Sequence, residues 1–420
     1  MKTECIVVDQ SLSGFQGHHY EYTIAVAKAL QAAGISAAIF ANLNLNLPPA
    51  QTSQAISIWP VFHHKWTDRD KTLFRRQLAW MAMGQIFGFP PPASPTGSFG
   101  GDLKTGLQTY AQSAKEIFVH TLSFSQLLEI AVLVRQVQLP IDRVHLVLRQ
   151  DPTEKGLGGL KVKILQQIVK LFDHQSAISV RFYADTPALV AVYEKILTRS
   201  FHLLPILLDQ DSLQKIAVDQ RSFKDSERLR VAYLGDARRE KGYQHLAPIV
   251  QTVLEQAGAQ KIEFLFQNHL DQHHGGDEEL VQTQIKLREL SQSHPQTLRL
   301  IEGILSPEAY NLVLQQADVI VLPYGKEEYR FRSSGILSQA ISAGKLAIVP
   351  TGTSLADPNF QTTVLAYEKT GEIPGLLLKI LNDKTSLLGF AQQNQKRWCE
   401  NHSDLTFVQA LRENDKENKL

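Results

Sequence analysis

Short apolar runs alternate with helix-period stretches along the chain, the pattern of a parallel sheet wound with helices. In the first half, Cys5–Asp9, Ala37–Ala41, Ile117–His120, Val144–Arg149 and Val180–Asp185 predict strands. The second half supplies Arg230–Leu234, Ile262–Phe266, Leu298–Ile301, Val319–Leu322, Leu346–Val349 and Thr363–Ala366. Tyr20, Ile24, Ala27 and Leu30 mark the buried stripe of the first helix, and Gly34 ends it. Gln136 to Pro140 closes another helix, and the tail from about Ser386 to Arg412 is helical in pattern, with Trp398, Leu405, Phe407 and Leu411 apolar. No internal repeat interrupts this order. Gly88 to Gly101, rich in Pro, Gly and Ser, reads as a long flexible loop.

At 420 residues the chain exceeds one ordinary core, and two α/β domains are expected. The crossing falls at Phe201–Ile206 and the polar stretch Leu208–Ser226 after it, which divides the chain into 1–205 and 206–383. A formal net charge of +1 argues against general nucleic-acid binding, which needs a strongly basic face. Cys5 and Cys399 show no metal-type spacing, and a reducing, cytoplasmic setting is the default. The chain runs from Met1 straight into its first strand with no signal-peptide pattern, and no apolar run approaches the ~18 residues of a membrane span.

The chemistry concentrates in Ala317–Thr351. A buried strand ends at Pro323, a polar loop follows, Ser333, Ser334 and Gly335 open a short helix, and Gly344 stops it. The helix start offers backbone N–H groups and a positive dipole end beside Lys326, Arg330 and Arg332, a combination that holds phosphate. Arg332, Gly335 and Gln339 share one helical face. A second loop, Gly235 to Gly242, places Arg238, Arg239 and Lys241 after another strand.

These two blocks, in this order, resemble the nucleotide-sugar site of the GT-B glycosyltransferases, in particular the retaining family 4 group. The likeness rests on the helix-to-strand segment Ala340–Pro350 and on Tyr233–Tyr243, and it is strongest over roughly 228–370. It implies two Rossmann-like α/β domains whose parallel sheets face a central cleft, with C-terminal helices, about 384–420, returning to the first domain. It implies a hexosyltransferase-like enzyme of polysaccharide biosynthesis that moves a sugar from a nucleotide-diphosphate donor to a hydroxyl acceptor, glycan or lipid, with retention. In such a mechanism the departing phosphate helps deprotonate the acceptor. No metal or other cofactor is expected, since the nucleotide-sugar is a substrate. Arg238, Arg239, Lys241, Arg332, Ser333, Ser334 and Gly335 would hold the diphosphate, and Gln339 would meet the nucleoside. The chain departs from the family where two glutamates are usual: Phe331 and Gln339 stand there, and Asp236 replaces an arginine after Gly235. Glu327 or Glu328 would then have to reach the sugar, and Glu328 is the candidate catalytic carboxylate. Two other readings use the same site: a nucleotide-sugar epimerase, and a degenerate, non-catalytic scaffold.

In the first domain, Ser11–Tyr20 carries Gly14, Gly17, His18 and His19 before a helix, spacing that lets backbone approach a ligand. The resemblance puts this loop on the cleft. His120 closes a strand at the end where open α/β sheets bind ligands and is the candidate catalytic histidine. The cluster His269 to Glu279 has a metal-like composition without ligand pairing at helical spacing, and reads as a solvated loop. The helix Lys71–Phe87 joins Lys71, Arg75 and Arg76 to an apolar face. Such a helix can lie peripherally on an anionic membrane, although packing on the sheet is the favoured reading.

Overall fold

The computed structural model describes residues 3–14, 18–46, 56–65, 71–84, 92–136, 138–153, 158–173, 177–208, 228–256, 259–270, 276–357 and 364–412. They form two compact units, the first from residues 1–207 and 403–420, the second from 208–402.

Unit 1 is built on a seven-stranded sheet of β1 (Cys5–Val8), β2 (Ala37–Asn42), β3 (Ser57–Phe62), β4 (Glu116–Val119), β5 (Arg143–Val147), β6 (Ser179–Ala184) and β7 (His202–Leu203). The spatial order is β3-β2-β1-β4-β5-β6-β7, every neighbouring pair parallel. Its helices are α1 (His18–Ala32), α2 (Lys71–Ala79), α3 (Phe99–Tyr110), α4 (Phe124–Arg135), α5 (Gly158–Lys170) and α6 (Pro187–Leu197). Unit 2 carries β8 (Leu229–Tyr233), β9 (Ile262–Asn268), β10 (Leu298–Glu302), β11 (Val319–Val321), β12 (Leu346–Pro350) and β13 (Val364–Tyr367) in the order β10-β9-β8-β11-β12-β13, also parallel. Helices α7 (Leu246–Leu254), α8 (Glu278–Ser293), α9 (Pro307–Gln316), α10 (Gly335–Ser342), α11 (Ile373–Asn382) and α12 (Lys384–Asn401) belong to it.

The strands read as continuous apolar runs because both sheet faces are covered. In β8, Leu229, Val231 and Tyr233 enter one core with Ile249, Val253 and Leu377. The intervening Ala232, with Leu234 beyond it, enters the other with Ile320, Leu337 and Trp398.

Both sheets reverse strand order beside their first strand, at β1/β4 and at β8/β11. Loops leaving the carboxyl ends of such strands diverge to opposite faces and open a crevice, the place where open α/β sheets bind ligands.

The structure departs from the sequence-based expectations in four places. Strand β3 lies at a sheet edge and was hidden by Pro60 and its exposed residues, since proline cannot donate to a ladder and is tolerated only at edges. Gly100 and Gly101 are not loop residues but the first turn of α3, capped by Ser98. A Cβ on Gly101 would stand 2.0 Å from the Pro95 carbonyl oxygen, so glycine there serves close packing rather than flexibility. Thirdly, the tail expected to return to the first domain from about 384 stays with unit 2 through α12, whose Ala391 and Trp398 lie in that unit's cores. Only the last helix, α13 (Asp404–Arg412), joins unit 1. There Phe407 packs edge-on against Phe118, the Arg181 guanidinium donates to the Leu411 carbonyl at 2.7 Å, and Arg412 pairs with Glu116 at 2.7 Å.

The fourth departure concerns the basic helix. Regular α-helix ends at Ala79 and passes into a π-helical turn, Trp80–Gly84. Leu73 and Trp80 are buried, with Arg135 over the Trp80 ring, while Arg75 and Arg76 face solvent. Leu73 and Trp80 thus pack within the protein, in keeping with the favoured reading of this helix, while Phe74, Leu78 and Met81 are half-buried. Phe87 lies outside the described residues, within which no helix is long and apolar enough to cross a membrane.

Candidate functional site

In unit 2, three glycines bring the two phosphate-type loops together. Gly242 has φ +68°, and a Cβ there would sit 1.7 Å from the Pro323 carbonyl oxygen, so the turn after β8 lies directly on the loop after β11. The amide of Gly325 donates to the Glu240 carbonyl at 2.9 Å across the same junction. At Gly235, φ +103°, a Cβ would stand 2.7 Å from Lys241 Nζ and 3.0 Å from Ile336 Cδ1. Absence of a side chain there admits the lysine amine beside the first turn of α10. That turn is capped by the Ser334 hydroxyl, which accepts from the Leu337 amide at 3.3 Å.

The cations of this corner divide sharply. Arg239, one of the residues expected to hold the diphosphate, is bound to Asp277 and Glu279 at the N-terminus of α8. Asp277 and Glu279 close the sequence cluster of metal-like composition, of which 271–275 lie outside the described residues. Arg238 pairs with Asp236 at 2.7 Å and with Glu240 at 3.7 Å. Lys326 pairs with Glu368. Among the described residues, Lys241 has no ion pair, and burial followed by repulsion from Arg238 lowers its pKa. Arg332 lies over the Tyr329 ring at 5.4 Å, and Arg330 over Phe331 at 4.8 Å. Ser333 and Gly335 frame the capping serine at the helix start, and Gln339 is held one face along, its Oε1 accepting from the Tyr310 hydroxyl at 2.6 Å. Glu328 is exposed and folds its carboxylate over Gly325.

Sequence reasoning missed the neighbouring strand ends. Gln267, buried at the end of β9, accepts from the Gly235 amide at 2.7 Å and donates to the Gly303 carbonyl at 3.3 Å, tying three loops together. Ile304 beside it is 69% exposed, an apolar surface at the carboxyl end of β10. A polar residue closing an apolar strand was the available signal for Gln267.

In unit 1 the crevice holds a buried polar network on β1, α1 and β4. Asp9, just past β1, accepts from Thr23 Oγ1 at 2.9 Å, from His19 Nδ1 at 3.0 Å and, through its other oxygen, from the Ser11 amide at 3.0 Å. Burial opposes its ionisation, but the His19 hydrogen bond, the charges of His120 and His19 and the Thr23 hydroxyl outweigh that and hold its pKa at about 2. The ionised carboxylate can only accept, so Nδ1 of His19 carries a proton. Thr23 gives its single proton to Asp9, and its oxygen accepts from His120 Nε2 at 2.9 Å. His120 Nδ1 meets the Thr121 hydroxyl at 3.0 Å. Hence His120, the candidate catalytic histidine, is 2% exposed and bonded through both ring nitrogens, a fixed member of the network. Tyr22 packs edge-on against His120, Arg149 covers the Tyr22 ring at 4.3 Å, and Asp185 pairs with Arg149 at 3.2 Å. Gly14 precedes this helix, Gly17 lies outside the described residues, and His18 opens α1.

The low pKa of Asp9 sets a pH expectation. Its folded value lies below the unfolded one, so its contribution, about 2 kcal/mol, is present above pH ~4 and is lost as pH falls through about 2. Denaturant titrations of wild type and Asp9→Asn from pH 7 to 2 should show a stability gap that closes in that window. A gap constant with pH would mean that the carboxylate is not held ionised.

No family model matches the sequence, and no curated protein matches it. Solved structures do. HepE from Anabaena, in complex with UDP, aligns over 99% of this chain and 100% of its own at TM-score 0.63 and 10% identity. Sucrose-phosphate synthase from Thermosynechococcus elongatus aligns over 99% and 98% at TM-score 0.59 and 13% identity. A glycosyltransferase from Rickettsia africae aligns over 100% and 98% at TM-score 0.59 and 12% identity. Identity at this level speaks for architecture alone. With two parallel sheets, each reversing strand order beside its first strand, and full-length alignment to these structures, the chain has the GT-B fold, as its sequence motifs lead one to expect.

Proposed function

We propose that the protein is a glycosyltransferase that moves a sugar from a nucleoside-diphosphate donor to a hydroxyl acceptor. The observation that carries this reading is Lys241: a half-buried cation without an ion pair among the described residues, admitted by Gly235 to the first turn of α10. Asp236 and Glu240 offset its desolvation only in part, whereas a diphosphate between the amine and the helix start would favour the charge directly. Arg332 would supply the second charge, and the turn from Ser333 to Gly335 its amides. Gln339, oriented by Tyr310, would meet the ribose, and Ile304 would offer the base an apolar surface. Glu328, exposed with its carboxylate over Gly325, would be the carboxylate that meets the sugar. Transfer then needs charge placement more than covalent chemistry: the site neutralises the departing diphosphate as the acceptor attacks. The UDP complex of HepE, a structural neighbour, supports a nucleotide as ligand.

Calorimetric titration with UDP, GDP and ADP tests the reading. One nucleotide should bind at micromolar concentration, and Arg332→Ala should weaken it by about 2 kcal/mol, roughly 30-fold. If none of the three binds, the donor site is misassigned and the non-catalytic scaffold reading takes its place.

A further inference from the structure

The middle of α10 carries a feature that phosphate binding does not call for. Gln339 stands one turn beyond Gly335 on the same helical face, about 6 Å along the axis. In a nucleoside diphosphate the ribose follows directly on the α-phosphate, so a diphosphate seated at the first turn lays that ribose beside Gln339. The serines around it are committed to backbone: Ser338 donates to the Ser334 carbonyl at 3.2 Å and Ser342 to the Gln339 carbonyl at 2.9 Å. Carboxylates of the surrounding loops are engaged at other points. Glu240 meets Arg238 at 3.7 Å, Glu368 meets Lys326 and Thr351, and Glu328 lies over Gly325.

The Gln339 amide is oriented from α9, where the Tyr310 hydroxyl donates to its Oε1 at 2.6 Å. That bond decides what the side chain can do for a ribose. Its single oxygen is already paired within the protein, and the other half of the amide is a donor. A carboxylate at this position would instead accept from both ribose hydroxyls through charge-assisted bonds. Sites reject a ligand that lacks a hydroxyl chiefly because the group meant to receive it is left unpaired. Here Tyr310 keeps Oε1 paired whether or not the hydroxyl is there.

We propose that unit 2 does not select ribose: Gln339, held by Tyr310, admits 2′-deoxynucleoside diphosphates as readily as ribonucleotides. The donors of the transfer then include sugars carried on a 2′-deoxynucleoside diphosphate. This rests on the donor reading above and names its nucleotide class. Gln339 is the specificity-determining residue, and Tyr310 positions it.

Calorimetry on the full chain tests this with three pairs that differ only in the 2′-hydroxyl: UDP and dUDP, GDP and dGDP, ADP and dADP. The nucleotide that binds should do so within about threefold of its 2′-deoxy counterpart. Gln339→Glu supplies a second acceptor and its charge, and should create a preference for ribose of about tenfold or more. Tyr310→Phe releases Oε1 and should shift the ratio in the same direction. Because the first ratio is read on the wild type, a poorly folded variant leaves the test intact. A wild-type preference for ribose beyond about threefold overturns the proposal. An unchanged ratio in a Gln339→Glu protein that still binds nucleotide does so as well. If none of the six nucleotides binds, it is the donor reading itself that fails, and the proposal with it.

Discussion

Gly242→Ala should destabilise unit 2 by about 4 kcal/mol and abolish nucleotide binding, the larger of the two strongest effects expected. Two costs combine. A non-glycine residue at φ +68° pays about 1–2 kcal/mol for the left-handed conformation. The added methyl would lie 1.7 Å from the Pro323 carbonyl oxygen, a backbone atom that cannot swing aside, and overpacking of this kind costs about 1–3 kcal/mol or more. Relief requires the turn after β8 and the loop after β11 to part, which also separates Lys241 from the first turn of α10. Trp398, buried in a core of unit 2 and its sole tryptophan, is a convenient probe. Fluorescence-detected denaturation within about 1 kcal/mol of wild type would show that the two loops are not packed as described.

Lys241→Met should weaken the bound nucleotide by about 2–3 kcal/mol while leaving the free protein as stable as wild type or more so. The opposite signs are the informative part. A half-buried amine lacking an ion pair is a burden in the unliganded protein, so an apolar side chain of similar length removes a desolvation cost. The same amine facing a diphosphate forms a charge-assisted contact in a low-dielectric setting. Structural lysines behave differently: Lys345, more deeply buried, donates to the Gln315 carbonyl at 2.8 Å, and its loss would leave that oxygen without this partner. Thermal melts and calorimetry on one preparation separate the cases. A joint loss of stability and affinity would make Lys241 part of the scaffold rather than of the site.

The parts legible in the sequence share a physical origin. Strands β1, β2, β4, β5 and β6, and all six of unit 2, are visible as apolar runs because covering both faces leaves few positions for polar residues. The phosphate-type loops are visible because each is a local arrangement: glycine, cation and helix start lie within a few residues of one another. What stays hidden depends on pairing between distant segments. Thr23 and His120 are 97 residues apart and meet through the alignment of β1 with β4. Asp9 drew no notice because one acid after an apolar run is ordinary until its three partners converge on it. Arg238 and Arg239 look equivalent to Lys241 in sequence, and only the positions of Asp236 and Asp277 reveal which cation lacks an ion pair. The point at which the tail changes units depends on whether Trp398 or Phe407 finds the nearer core, and an apolar helix stripe does not tell which.

The return of α13 to unit 1 also has a consequence during synthesis. The residues of unit 2 are translated between β7 and α13, a delay of about 10–40 s at ribosomal speeds of ~5–20 residues per second. Through that interval the nascent unit 1 lacks Phe407, Val408 and Leu411, leaving the surface beside α1 and Phe118 uncovered, while Glu116 awaits Arg412. Unit 2, by contrast, is contiguous and can complete its cores as it emerges. The half of the molecule translated first is therefore the half finished last, and its unfinished apolar face is where a ribosome-associated chaperone would find this chain.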